Sequence, residues 1–147
     1  MSNNLSQNSK LTVVANASAA GTSAINSSSV DMTGYDSVLF EITFGAIVAG
    51  AVTTINLAQS ADDSTFNDLL ASSVTIADTD DNKAAWLEVH KPIDRYVRLE
   101  VAKATQNSTV EGIRAWQTNH KLNKPTTHDS TTVLGGELHI SPAEGTA

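Results

Sequence analysis

Three adjacent residues near the C-terminus, His128, Asp129 and Ser130, carry the side-chain types of a hydrolytic triad. A triad is a relay of side-chain hydrogen bonds assembled by tertiary folding, and neighbours on an extended segment point to alternate sides. These three cannot form one, and the reading is a solvated or partner-facing segment. Four histidines, His90, His120, His128 and His139, lack HExxH or any other tight metal-ligand spacing. Three of them fall in the C-terminal segment, so a metal shared between copies at a symmetry axis is the minor alternative to ordinary polar contacts. Two aspartate sets, Asp62, Asp63 and Asp68, and Asp78, Asp80 and Asp81, offer oxygens to calcium. Neither has the glycine and terminal glutamate of an EF-hand, and loop aspartates ordinarily close their own turns. A glycine-rich phosphate loop, a nucleophile elbow and a dinucleotide fingerprint are all missing. The expectation is a protein that is not an enzyme and needs no cofactor or metal.

Composition narrows the classes further. A chain of 147 residues, 40% of them hydrophobic, fits one domain with a real core. The absence of cysteine excludes disulfides, thiolate catalysis and cysteine-based metal sites. The opening MSNNLSQNSK has no apolar stretch of a secretion signal, and no apolar run approaches a transmembrane helix, so synthesis and folding in a cytoplasm, with no membrane partner, are expected. Nine Lys and Arg against 16 Asp and Glu give a net charge of −7. Nonspecific nucleic-acid binding needs the opposite balance, so no nucleic acid is expected as partner.

The elements that position these residues are strands. In SVLFEITF, Val38, Phe40, Ile42 and Phe44 share one face, and in RYVRLEVAK, Val97, Leu99 and Val101 do. Shorter alternations pair Ile55 with Leu57, Leu87 with Val89, and Leu11 with Val13. TVEGIRAWQ breaks parity. A β-bulge at Gly112 would put Val110, Ile113 and Ala115 on the core face, whereas a regular strand would turn Val110 and Trp116 inward. GAIVAG (Gly45 to Gly50) reads as a hairpin loop, and only Phe66 to Ala71 has room for a helical turn. Short strands punctuated by turns predict an all-β fold, an antiparallel β-sandwich or jelly-roll-like barrel of about seven or eight strands, over residues 1–119.

On such a scaffold Trp86 faces away from Leu87 and Val89. It either anchors an interface, as outward aromatics do, or covers the end of the sandwich or packs under the tail. Arg95 and Arg98, flanking Tyr96, either bind a partner's carboxylate or form cross-strand ion pairs with Glu88 or Glu100. Residues 120–147 read as an extended interaction arm. Pro125 and Pro142 oppose regular internal structure, while Leu138 and Ile140 alternate in GELHIS and could add a strand to a neighbour's sheet edge.

Four segments together resemble a known group. GYDSVLFEITFGAI (Gly34 to Ile47), QSADDSTFNDL (Gln59 to Leu69), KPIDRYVRLEVAKATQNSTVEGIRAWQ (Lys91 to Gln117) and THDSTTVLGGELHISPAEGTA (Thr127 to Ala147) are similar to small structural proteins of tailed bacteriophages and prophages, typically encoded with the head genes. The resemblance implies a β-sandwich-like module that decorates or cements the capsid exterior of the virion, binds the major capsid protein, and forms a homotrimer at local three-fold positions. The alternatives are a carbohydrate-binding or host-adhesion module on the virion, and a head-completion or tail subunit.

Overall fold

The computed structural model describes residues 4–118, 128–140 and 143–146. Among these residues one helical turn, α1 (Leu5–Asn8), precedes eleven strands: β1 (Ser9–Ala15), β2 (Ser18–Gly21), β3 (Ile25–Asn26), β4 (Val30–Asp31), β5 (Ser37–Ile47), β6 (Val52–Ser60), β7 (Asn67–Asp68), β8 (Val74–Ile76), β9 (Ala84–His90), β10 (Tyr96–Ala104) and β11 (Ser108–Thr118). They form two antiparallel sheets packed face to face. One sheet runs β1-β11-β5-β9, with β2 continuing beside β11 past β1. The other is centred on β10 and β6; β3 and β4 flank β10, and β7 and β8 flank β6. The architecture is a β-sandwich and not a closed barrel.

The alternating segments put their apolar sets between the sheets. Val38, Phe40, Ile42 and Phe44 of β5 meet Ile55 and Leu57 of β6 and Val97, Leu99 and Val101 of β10, all essentially buried. The parity break in β11 is resolved by the bulge: pairing with β5 shifts register between Val110 and Gly112, and Gly112 takes φ +152°. That extra residue keeps Val110, Ile113 and Ala115 fully buried and turns Trp116 to the outer face. A side chain at Gly112 would force an unfavourable backbone conformation close to the Ala15 carbonyl.

Three local expectations are corrected. Gly45, Ala46 and Ile47 extend β5, and the turn is confined to the residues between Ile47 and Val52. Ile47 is buried, and burial favours continuing the strand over opening a loop. Phe66 to Ala71 contains no helical turn: Asn67 and Asp68 bridge to Gln59 and Ala58, because the edge of β6 offers ladder hydrogen bonds that a single isolated turn cannot match. Leu11 and Val13 do share a face, but it is the outer one; Val14, beside a second bulge, enters the core.

Candidate interaction surfaces

The sequence-flagged carboxylates serve the fold. Asp62 accepts hydrogen bonds from the backbone N–H groups of Thr65 and Ser64 and from the Ser60 hydroxyl, which hold its carboxyl well below the usual carboxylate range. Asp78 accepts from the Gly50 N–H at 2.7 Å, and Asp81 from the Ile47 N–H at 2.5 Å, so the loop before β9 ties down the β5–β6 turn. Asp80 accepts from the Ala77 N–H and pairs with Lys83. Asp68 accepts from the Asn56 side chain, and Asp63 from the Ser29 hydroxyl. Among the described residues, no group of three or more His, Asp or Glu is arranged to hold a metal ion.

The two arginines are engaged within the chain. Arg95 grips Asp31 with two bonds of 2.9 and 2.6 Å and lies over the Tyr96 ring at 5.0 Å. The Arg95 hydrogen bond and charge hold Asp31 far below its ordinary value, and Asp31 raises Arg95 in return. Arg98 bonds Glu100 at 2.8 and 2.5 Å and stacks on Phe66 at 3.9 Å. The expected cross-strand pair is therefore a same-strand pair: residues two apart on β10 share a face, and β9, which carries Glu88, belongs to the other sheet. These contacts lie on the outer face of the β6–β10 sheet.

The outer face of the other sheet differs. Across β1, β11, β5 and β9 run two rows of directly opposed residues, Leu11–Trp116–Leu39–Glu88 and Val13–Arg114–Glu41–Trp86. Arg114 and Glu41 pair at 2.6 Å in the middle of the second row. Trp86 is 64% exposed at the end of that row, so it neither closes the end of the sandwich nor packs under the described part of the tail. Trp116, Leu39, Leu11 and Val13 are half-buried on the same face. The sequence missed this shared face because Trp116 turns outward only once the bulge is in place.

The sheet edges complete the description. The outer edge of β1 is covered by the chain's own C-terminal segment: the Leu11 N–H donates to His128 Nδ1 at 3.0 Å, the Asp129 N–H to the Leu11 carbonyl at 3.0 Å, and the Val13 N–H to Thr132 Oγ1 at 3.1 Å. Asp129 in turn accepts from the hydroxyls of Thr132 and Thr131, and these bonds lower its pKa. His128 and Asp129 thus act as edge covers, and Ser130 is exposed in the turn that follows. Beyond Val133 the described residues of the arm are exposed, with Leu138 at 42% and Ile140 at 85%. His120, Pro125 and Pro142 lie outside the described residues. At the far side of the same sheet, nothing among the described residues pairs with the outer edge of β9.

No protein-family model matches the chain, and comparison with curated proteins finds no relative. Its fold is similar to solved structures. The PBSX exported protein XepA superposes with a TM-score of 0.56 at 15% identity, over 98% of this chain and 46% of that one. A chain of Bacillus endospore appendages, described as a novel family of disulfide-linked pili, gives 0.46 at 11% identity over 77% and 89%. A chain of infectious bursal disease virus Gx strain gives 0.49 at 13% identity over 82% and 34%. The chain therefore spans less than half the length of XepA, and at this identity the likeness between the two is one of fold.

Proposed function

We propose that this chain is a structural virion protein, a head decoration or cement protein that binds the major capsid protein on the outside of a phage shell, without catalysis and without nucleic acid or membrane as partner. The observation that carries the reading is the division of labour within the chain. Its loop carboxylates and both flagged arginines are engaged in holding the sandwich together, while a terminal arm and a bare strand edge are left for other molecules. A module of 15.4 kDa repeated over a shell gains its hold from many modest contacts acting together. The resemblance of four ordered segments to phage head-encoded proteins supports the same reading, and it implies a homotrimer at local three-fold positions.

Gold-labelled antibody against this chain, applied to purified particles and imaged by electron microscopy, tests the proposal. Label distributed over the faces of the head is the expected result. Label confined to the tail or the head–tail junction would favour a tail or completion subunit, and particles without label would remove the virion role.

One observation favours a second reading. Trp86 and Trp116 share the outer face of the β1–β11–β5–β9 sheet, two strands apart, and aromatics on one face can stack sugar rings. Binding of the purified protein to a glycan array, lost in Trp86→Ala and Trp116→Ala, would select host adhesion over decoration.

A further inference from the structure

We propose that the segment Glu137–Ile140 of one copy adds as an antiparallel strand to the open edge of β9 in a second copy, so that the protein assembles head to tail by strand addition. The inference rests on the reading of this chain as a repeated, self-associating structural unit, and it names the surface by which copies would join.

The acceptor is set apart by its edge. The edges of the β6–β10 sheet are made of strands of two or three residues, and β1 is covered by His128–Thr132. Short or covered edges resist pairing with other chains. Only β9, among the described residues, presents seven strand residues with no proline or bulge and no partner on its outer side. Its inward row is also incomplete: Ala85, Leu87 and Val89 pack against the core yet are only partly buried.

The donor matches the acceptor residue by residue. Antiparallel pairing that sets Leu138 against Val89 also sets Ile140 against Leu87, which extends the inward apolar row. The same register sets His139 against Glu88 and Glu137 against His90 on the outer face, so both outward pairs join an acidic residue to a histidine. Sliding the strand by two residues keeps the faces but places Glu137 against Glu88 in one direction and His139 against His90 in the other. Like charges directly opposite are unfavourable, which disfavours the slide that opposes two glutamates, and the other slide forfeits both pairs of an acidic residue with a histidine, so one register is selected.

Reach identifies the acceptor as a second copy. The arm is pinned outside β1 through Thr132, and the slot beyond β9 lies five strand spacings away, about 24 Å. From Thr132 to Glu137 the chain extends at most about 18 Å. While its base covers β1, the arm cannot reach its own β9. A contact between two different surfaces closes into a ring when the rotation permits, which accommodates a trimer.

The absence of cysteine makes cross-linking a direct test. Full-length Glu88→Cys protein is mixed with full-length His139→Cys protein of distinguishable mass, and His90→Cys with Glu137→Cys, under mild oxidation and with no shell present. Each mixture should give about tenfold more mixed disulfide dimer than Glu88→Cys with Leu138→Cys, whose side chains would face opposite sides. In sedimentation, Leu138→Asp with Ile140→Asp should weaken self-association about tenfold or more while circular dichroism stays unchanged, since both residues are exposed in the single chain. Mixed dimers no more abundant than in the wrong-face control, or a parent protein that sediments as a monomer at every concentration, would overturn the inference. Decoration of shells by a monomer would leave the proposed function standing and remove this interface; self-association without shell binding would do the reverse.

Discussion

The two edges of the β1–β11–β5–β9 sheet solve the same problem in different ways. At β1, outward N–H groups of Leu11 and Val13 are met by His128 Nδ1 and Thr132 Oγ1, side chains standing in for the carbonyls of a neighbouring strand. At β9, three strands away, the outward groups meet no protein partner among the described residues, and the flanking Trp86 is exposed. An edge covered within the chain contributes to the stability of one copy. An edge left open is a place where stability awaits a second molecule. The same terminal segment serves the first with its base and is free to serve the second with its tip.

The comparison presumes that both edges hang on one shared core, and the largest expected effect tests that. Phe40→Ala and Leu99→Ala remove fully buried side chains from opposite sheets and should each cost about 2–5 kcal/mol in denaturant unfolding, with a single transition. Two separate transitions would show that the sheets, and hence their edges, are not one unit. Ending the chain at Asn119 removes both the cover of β1 and the free tip. The truncated protein should remain folded by circular dichroism, lose about 1–2 kcal/mol with the edge hydrogen bonds, and lose self-association and particle binding. Global unfolding would mean that the segment is an integral strand of its own subunit. Unchanged stability and assembly would mean that it is dispensable.

Smaller changes separate base from tip. His128→Ala removes one acceptor at β1 and should cost about 1 kcal/mol or less, with faster amide exchange at Leu11 as its local sign. Protection at Leu11 equal to the parent would detach the tail from that edge. Trp86→Ala should change stability by less than about 0.5 kcal/mol, because the ring is largely in solvent. A substantial loss would show that the face is not open.

The smallest effect lies on the other sheet. Asp31 has its folded pKa depressed by Arg95, so its contribution is fully present above the unfolded value near 3.8 and is lost as the pH falls through the lower folded value. Both side chains are about half exposed, and solvent screens the pair. Arg95→Ala should therefore lower the melting temperature slightly at neutral pH, with the difference from the parent vanishing in strong acid. A difference that grows in acid would reverse the sign of the linkage.

Much of the body follows from residue order alone. Alternation of period two in SVLFEITF and RYVRLEVAK determines which side chains are buried, because a strand with one face on a core has no other way to hide Phe40, Phe44 and Leu99. The glycine in TVEGIRAWQ marks the bulge, since the break in parity and a residue tolerant of positive φ coincide there. The short alternation GELHIS is visible in the sequence as well, but not the strand it matches. Folding supplied the rest. Arg98 met Glu100 and Phe66 where a cross-strand partner was expected, and Asp78 and Asp81 reached back to the β5–β6 turn. The contacts of Phe66, Asp78 and Asp81 join residues far apart in the chain, and their partners depend on which strands become neighbours. Which edge is covered, which is bare, and that Trp86 and Trp116 share a face are likewise properties of strand order, which local patterning does not encode and only the packed sheets decide.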